Sequence, residues 1–176
     1  SAASDVYKRQ AVIVDANSPT LSSVSATDGS YGVGENIDIT VTWSEAVVVT
    51  DTPTLTLSNN ATASYLSGSG NAALVFRYTV AEGDTASNDL SISSYAGTIK
   101  DTAGNTAGAV TGDLGSVTVD GDAPDLVSVA ANNGIYGVGE TLSITVTWGE
   151  EVVVTGTPTL TLSNGATASY SSGTGN

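Results

Sequence analysis

Residues 31–59 read YGVGENIDITVTWSEAVVVTDTPTLTLSN, and residues 136–164 read YGVGETLSITVTWGEEVVVTGTPTLTLSN. Aligned over 14–71 and 119–176, an offset of 105 residues, the two copies agree at 40 of 58 positions. A chain that repeats itself must fold into a unit that tolerates a copy of itself next in line. A period of 105 also matches one sandwich domain of roughly 100 residues.

The repeat divides the 176 residues unevenly. Residues 1–10, SAASDVYKRQ, have no counterpart ahead of the second copy and read like a cloning or sequencing-adapter scar. Residues 11–16 open on AVIVD, which matches SVTVD at 116–120, so they are expected to be the last strand of a preceding repeat. A complete unit then spans 17–121. Residues 122–176 hold the first part of a second one, expected to be truncated.

Within the complete unit the hydrophobic period is two. Ile37, Ile39, Val41 and Trp43 alternate with Asp38, Thr40, Thr42 and Ser44, the signature of a half-buried strand. Leu55 and Leu57 alternate likewise, as do Leu74, Phe76, Tyr78 and Val80. Further strands are expected at 21–26, 47–50, 61–66, 89–93, 97–100 and 116–120. No stretch carries a helical apolar stripe, and Thr, Val and Ser dominate, which favours pleated surfaces. Asn59-Asn60, replaced by Asn164-Gly165, suits a two-residue hairpin turn with positive φ at its centre. The expected fold is an all-β, antiparallel sandwich of seven to nine strands per unit, with Trp43 as core anchor and Tyr65 and Tyr78 near its ends.

Charge narrows the partners. Eighteen acids against four bases give a net charge of −14. That opposes binding to nucleic acid or to anionic membranes. No apolar run reaches 18 residues, so no membrane-inserted helix is expected. Hydrophobic residues at 40% suffice for a core and exclude a disordered acidic tail. With no Cys and no His the usual nucleophile–base pairs are missing, and the chain is not expected to be an enzyme.

At this point a resemblance emerges. GSYGVGENIDITVTWSEAVVV, TPTLTLSNNATASYLSGSGN, LVFRYTVAEGD and GTIKDTAGNTA together resemble the bacterial Ig-like repeats of very large secreted or surface-attached proteins. The pattern is that of the swimming-motility surface glycoprotein repeat, also found in RTX-type adhesins. It covers about residues 14–176. The family usually carries Phe where Trp43 and Trp148 stand, and the second copy lacks the YTV strand, the DTAGN loop and the closing strand. The resemblance implies an Ig-like sandwich in a tandem array. The array would extend an adhesin or surface-layer protein from the bacterial cell surface into the extracellular space, with neighbouring repeats of the same chain as its direct partners. The alternative is a module that itself recognises carbohydrate or a cell-surface ligand. With 6% aromatics, mostly at inward positions, little is left for an exposed stacking platform.

The chemistry that could be present is calcium binding. The linker at 119–125, VDGDAPD, holds three carboxylates within a short span, and Ca²⁺ takes six to eight oxygen ligands. The up-and-down strand order is expected to bring Asp28 and Glu35 towards Asp120 and Asp122, with Glu150 facing the same linker from the next unit. The competing reading is that these acids only solvate the protein. The loop at 101–105, DTAGN, reads as a turn shaped by Gly104 or, alternatively, as an oxygen source for the junction ahead of the repeat. Tyr31 either packs over the sandwich end or serves as an exposed binding aromatic.

Overall fold

In the computed structural model the chain is described over residues 14–173. The segment read as a scar and most of AVIVD lie outside that range. The chain divides into two compact units, the first ending at Asp122 and the second starting at Ala123. Among the described residues every regular element is a strand.

Among the described residues the first unit holds ten strands: β1 (Leu21–Ser25), β2 (Gly29–Tyr31), β3 (Asn36–Val49), β4 (Thr54–Leu57), β5 (Thr62–Ser67), β6 (Asn71–Thr79), β7 (Ser91–Ala96), β8 (Ile99–Asp101), β9 (Gly112–Asp113) and β10 (Val117–Val119). They form an all-β sandwich. One antiparallel sheet runs β1-β3-β6-β5-β4-β7-β9, with β8 added to the far part of β3. The pair β2–β10 is parallel and stands apart from it.

The alternation at 36–43 fixes which face of β3 is buried. Ile37, Ile39, Val41 and Trp43 are buried, as are Leu74, Phe76, Tyr78 and Val80. Register places Ile37 opposite Tyr78, Ile39 opposite Phe76 and Val41 opposite Leu74. Cross-strand pairs of this kind stabilise a sheet, and a slip by one residue would turn every one of them outward. On the other face Arg77 Nε and Nη2 donate to the two Asp38 carboxylate oxygens at 2.6 and 2.7 Å. Both side chains are nearly half exposed and open to solvent screening, so the pair adds little.

Two local expectations change. The strands expected at 36–44 and 47–50 are one strand, β3, interrupted by a register shift between Thr42 and Val47. The unpaired residues there let the ladder change partner, from β6 to β8. The hairpin at Asn59-Asn60 has a three-residue loop. Leu57 N–H donates to Ala61 O at 2.9 Å, and Asn60 N–H donates to Leu57 O at 3.0 Å. Only Asn60, at φ 67°, adopts the left-handed conformation, as in a type I turn followed by one αL residue. Gly165 holds the same place at φ 83° in the second copy.

A polar network closes the buried face near this hairpin. Tyr78 OH donates to Asp84 Oδ2 at 2.7 Å, and Asn59 Nδ2 donates to Tyr78 OH at 3.2 Å and to Thr85 O at 3.3 Å. Burial and then the Asp84 carboxylate push the Tyr78 phenol up to about 12, so it stays a donor at any physiological pH.

The second unit holds β11 (Leu126–Ala131), β12 (Ile144–Trp148), β13 (Thr159–Thr161) and β14 (Thr167–Ser169). These are the counterparts of β1, β3, β4 and β5. Leu126 pairs with Trp148 as Leu21 pairs with Trp43, and both ribbons carry the same register shift two residues later.

Candidate acidic site

β3 orients the first unit. Asp15, ahead of β1, lies beside Glu45 at its late part. Asp120, after β10, donates its N–H to Tyr31 O at 2.9 Å, beside the start of β3. The chain thus arrives at one end of β3 and leaves at the other.

At the incoming end three carboxylates converge. Asp15, Glu45 and Asp101 each place a carboxylate oxygen within 4.8 Å of the others. Glu45 stands on the irregular part of β3, and Asp101 is the last residue of β8, opposite Val47. Asp101 is only 4% exposed. Asn105 N–H donates to its Oδ1 at 2.8 Å and Asn105 Nδ2 to its Oδ2 at 2.7 Å. The same Nδ2 donates to Asp15 O at 3.2 Å, tying the incoming chain to the DTAGN loop. That loop is therefore both a turn, with Gly104 at φ 99°, and part of the cluster.

The carboxyls respond in opposite directions. Glu45 is raised above its ordinary value of 4.5, by burial first and then by the charges of Asp15 and Asp101. Asp101 is also pushed upward by burial, but its hydrogen bonds from Asn105, Gly104 and Ala103 outweigh this and hold it low. An acid raised on folding favours the native state below its unfolded pKa, and that contribution is lost as pH rises through the folded value. Glu45→Gln should therefore stabilise the first unit at neutral pH without divalent cations. Urea midpoints from pH 4 to 7 should fall less with rising pH in the variant than in the parent. A variant that is no more stable than the parent at pH 7 would show that the three charges do not oppose one another.

The residues expected at the outgoing end are placed differently from one another. Glu35 and Asp120 lie on either side of Tyr31 and its turn, but each carboxylate serves its own loop. Glu35 Oε2 accepts from Gly32 N–H at 2.8 Å, and Asp120 Oδ1 accepts from Asp122 N–H at 3.1 Å. Asp28 accepts from Ser116 N–H at 2.9 Å. Ser116 precedes Asp120 by the length of β10, about 13 Å of extended chain, so Asp28 is not brought to Asp120. Asp122 is exposed, and Glu150 lies half-buried in the second unit. Tyr31 packs against the core, its OH donating to Thr27 O at 2.8 Å.

Two members of the cluster are marked in the sequence itself. Asp15 and Glu45 recur at the repeat offset as Asp120 and Glu150. The third member, Asp101, arrives from the far part of the repeat and has no counterpart within the 176 residues. Compared with known proteins, the chain matches no family model, no curated protein and no solved structure.

Proposed function

We infer that this chain is a structural spacer from a tandem array in a large extracellular bacterial adhesin or surface-layer protein. Its joints would be stiffened by Ca²⁺. The observation that supports this reading is the placement of the two chain ends of the first unit. Because one lies near the start of β3 at Asn36 and the other beside Glu45, about nine residues of strand away, each repeat would advance the array by about 30 Å.

The acidic cluster fits the cation. Three carboxylates are hard oxygen donors, which suit Ca²⁺ rather than an ion that prefers thiolate or imidazole. Asp15, Glu45 and Asp101 would hold it. Bound charge would offset the mutual repulsion of the three carboxylates and would fasten the incoming chain to the body of the repeat.

The test is melting of the chain in calcium and in EDTA. Calcium at a hundred-fold excess over Kd should stabilise the first unit by about 2.7 kcal/mol, an upward shift on the order of 10 °C. Asp101→Asn and Glu45→Gln should each reduce that shift. Equal melting in both buffers would remove the metal. Small-angle scattering addresses the spacer separately, since length should grow linearly with repeat number. A compact multi-repeat particle would overturn it. A glycan-binding module is less well supported. The open depression lined by Asn88, Asp89, Asp113, Gly115, Ser116 and Thr118 offers no aromatic platform.

A further inference from the structure

Asn60-Ala61-Thr62 is the only Asn-x-Ser/Thr triplet in the 176 residues whose middle position is not Pro. Such a triplet is the acceptor signal for an N-linked sugar, and it needs a place at the surface. Here it spans the tip of the β4–β5 hairpin. Asn60 is exposed in the loop. Thr62 opens β5 and is exposed too, on the face opposite buried Ala63.

The fold does not use the Asn60 amide. Asn59 carries the side-chain work of the loop. It is 7% exposed, its Nδ2 donates to Tyr78 OH and Thr85 O, and its Oδ1 accepts from Ala61 N–H at 3.2 Å. What Asn60 supplies is backbone: an N–H donated to Leu57 O at 3.0 Å, and φ 67°. Gly165 supplies the same in the second copy, with its N–H on Leu162 O at 2.9 Å and φ 83°. Glycine is the residue freest of strain there. The second copy reads Gly165-Ala166-Thr167, so it keeps the Thr and lacks only the acceptor. The bonds of Asn59 also place the loop. Tyr78 stands opposite Ile37, near the start of β3. The hairpin tip therefore lies at the outgoing end of the first unit, and Asp15, Glu45 and Asp101 lie at the other. A bulky group on Asn60 leaves that acidic cluster open.

We propose that Asn60 is an acceptor for an N-linked sugar, a site the second copy lacks. The substrate is a sugar activated at C1 by a diphosphate leaving group. Asn60 Nδ2 forms a bond to C1. The C1–O bond breaks, its electron pair leaves with the diphosphate, and one amide proton passes to a carboxylate base of the transferase. This proposal depends neither on calcium nor on the spacer reading.

The experiment offers the folded full chain to a pair of transferases that read Asn-x-Ser/Thr. One is a soluble enzyme given UDP-glucose; the other is an oligosaccharyltransferase given a polyprenyl-diphosphate oligosaccharide. The arms separate nucleotide-linked from lipid-linked donors. Intact mass should rise by a single glycan in at least one arm, and peptide mapping should place it on Asn60. Asn60→Gly installs the residue of the second copy, so it should fold like the parent and take up no sugar. Thr62→Ala should abolish transfer with Asn60 still in place. Gly165→Asn should add a glycan to the second unit. Amide exchange in β4 and β5 should be the same with and without the sugar. No transfer in either arm, transfer only to urea-unfolded chain, or sugar still taken up by Asn60→Gly would each overturn the proposal.

Discussion

Trp43→Ala should destabilise the first unit by about 3–5 kcal/mol, a large share of the ~5–15 kcal/mol that holds an ordinary domain folded. Trp43 is 2% exposed and is the largest of the fully buried side chains. A side chain of that size removes about 150–250 Å² from water. It sits where β1 meets β3, opposite Leu21, so its loss opens a cavity at a sheet junction. Its Nε1 is buried with no hydrogen-bond partner, which offsets part of its contribution. Trp43→Phe deletes that orphan donor and should cost far less than Trp43→Ala. Trp148, its counterpart, is only half-buried, and Trp148→Ala should cost correspondingly little. Urea denaturation followed by peptide-resolved hydrogen exchange separates the two units. Trp43→Ala protection in β3 and β6 within about 1 kcal/mol of the parent would refute this placement.

Gly68→Ala should cost the first unit about 2–6 kcal/mol, from two sources. Gly68 has φ 111°, where a side chain strains the backbone by about 1–3 kcal/mol. The added Cβ would also press on Ala73 O and Leu74 Cα, 2.3 and 3.0 Å away, which adds overpacking of about 1–3 kcal/mol. Gly173 has nearly the same backbone, φ 115°, in open space. Gly173→Ala should therefore carry the strain alone. Equal effects at the two glycines, read from exchange in β5 and in β14, would mean that β6 does not crowd Gly68.

Both pairs of substitutions compare one residue in two surroundings, and they show how much of this protein is local. The faces of β3, β4 and β6 follow from a period of two, because successive side chains in a strand point to opposite sides. Trp43, Phe76 and Leu55 are recognisable as core from their neighbours alone. The short β2 and β9 are not. Three and two residues carry no periodicity, and each is a strand only because a distant segment pairs with it.

The candidate site divides the same way. The acidity of the junctions is plain in VDGDAPD, and Asp15 and Glu45 are marked by their recurrence as Asp120 and Glu150. DTAGN offered Asp101 to the same junction only as an alternative to a plain turn, and the folded chain decides between the two. That placement depends on β8 adding to β3 beyond the irregularity at 42–47, which sets Asp101 opposite Val47 and near Glu45. Likewise Asp28 and Asp120 belong to the same end by strand order, yet β10 holds them apart by its own length. By itself the sequence determined the repeat, the all-β class and the buried faces, because these rest on alternation and on self-similarity. Only the tertiary structure decided which carboxylates meet, because that depends on pairings between segments far apart in the chain.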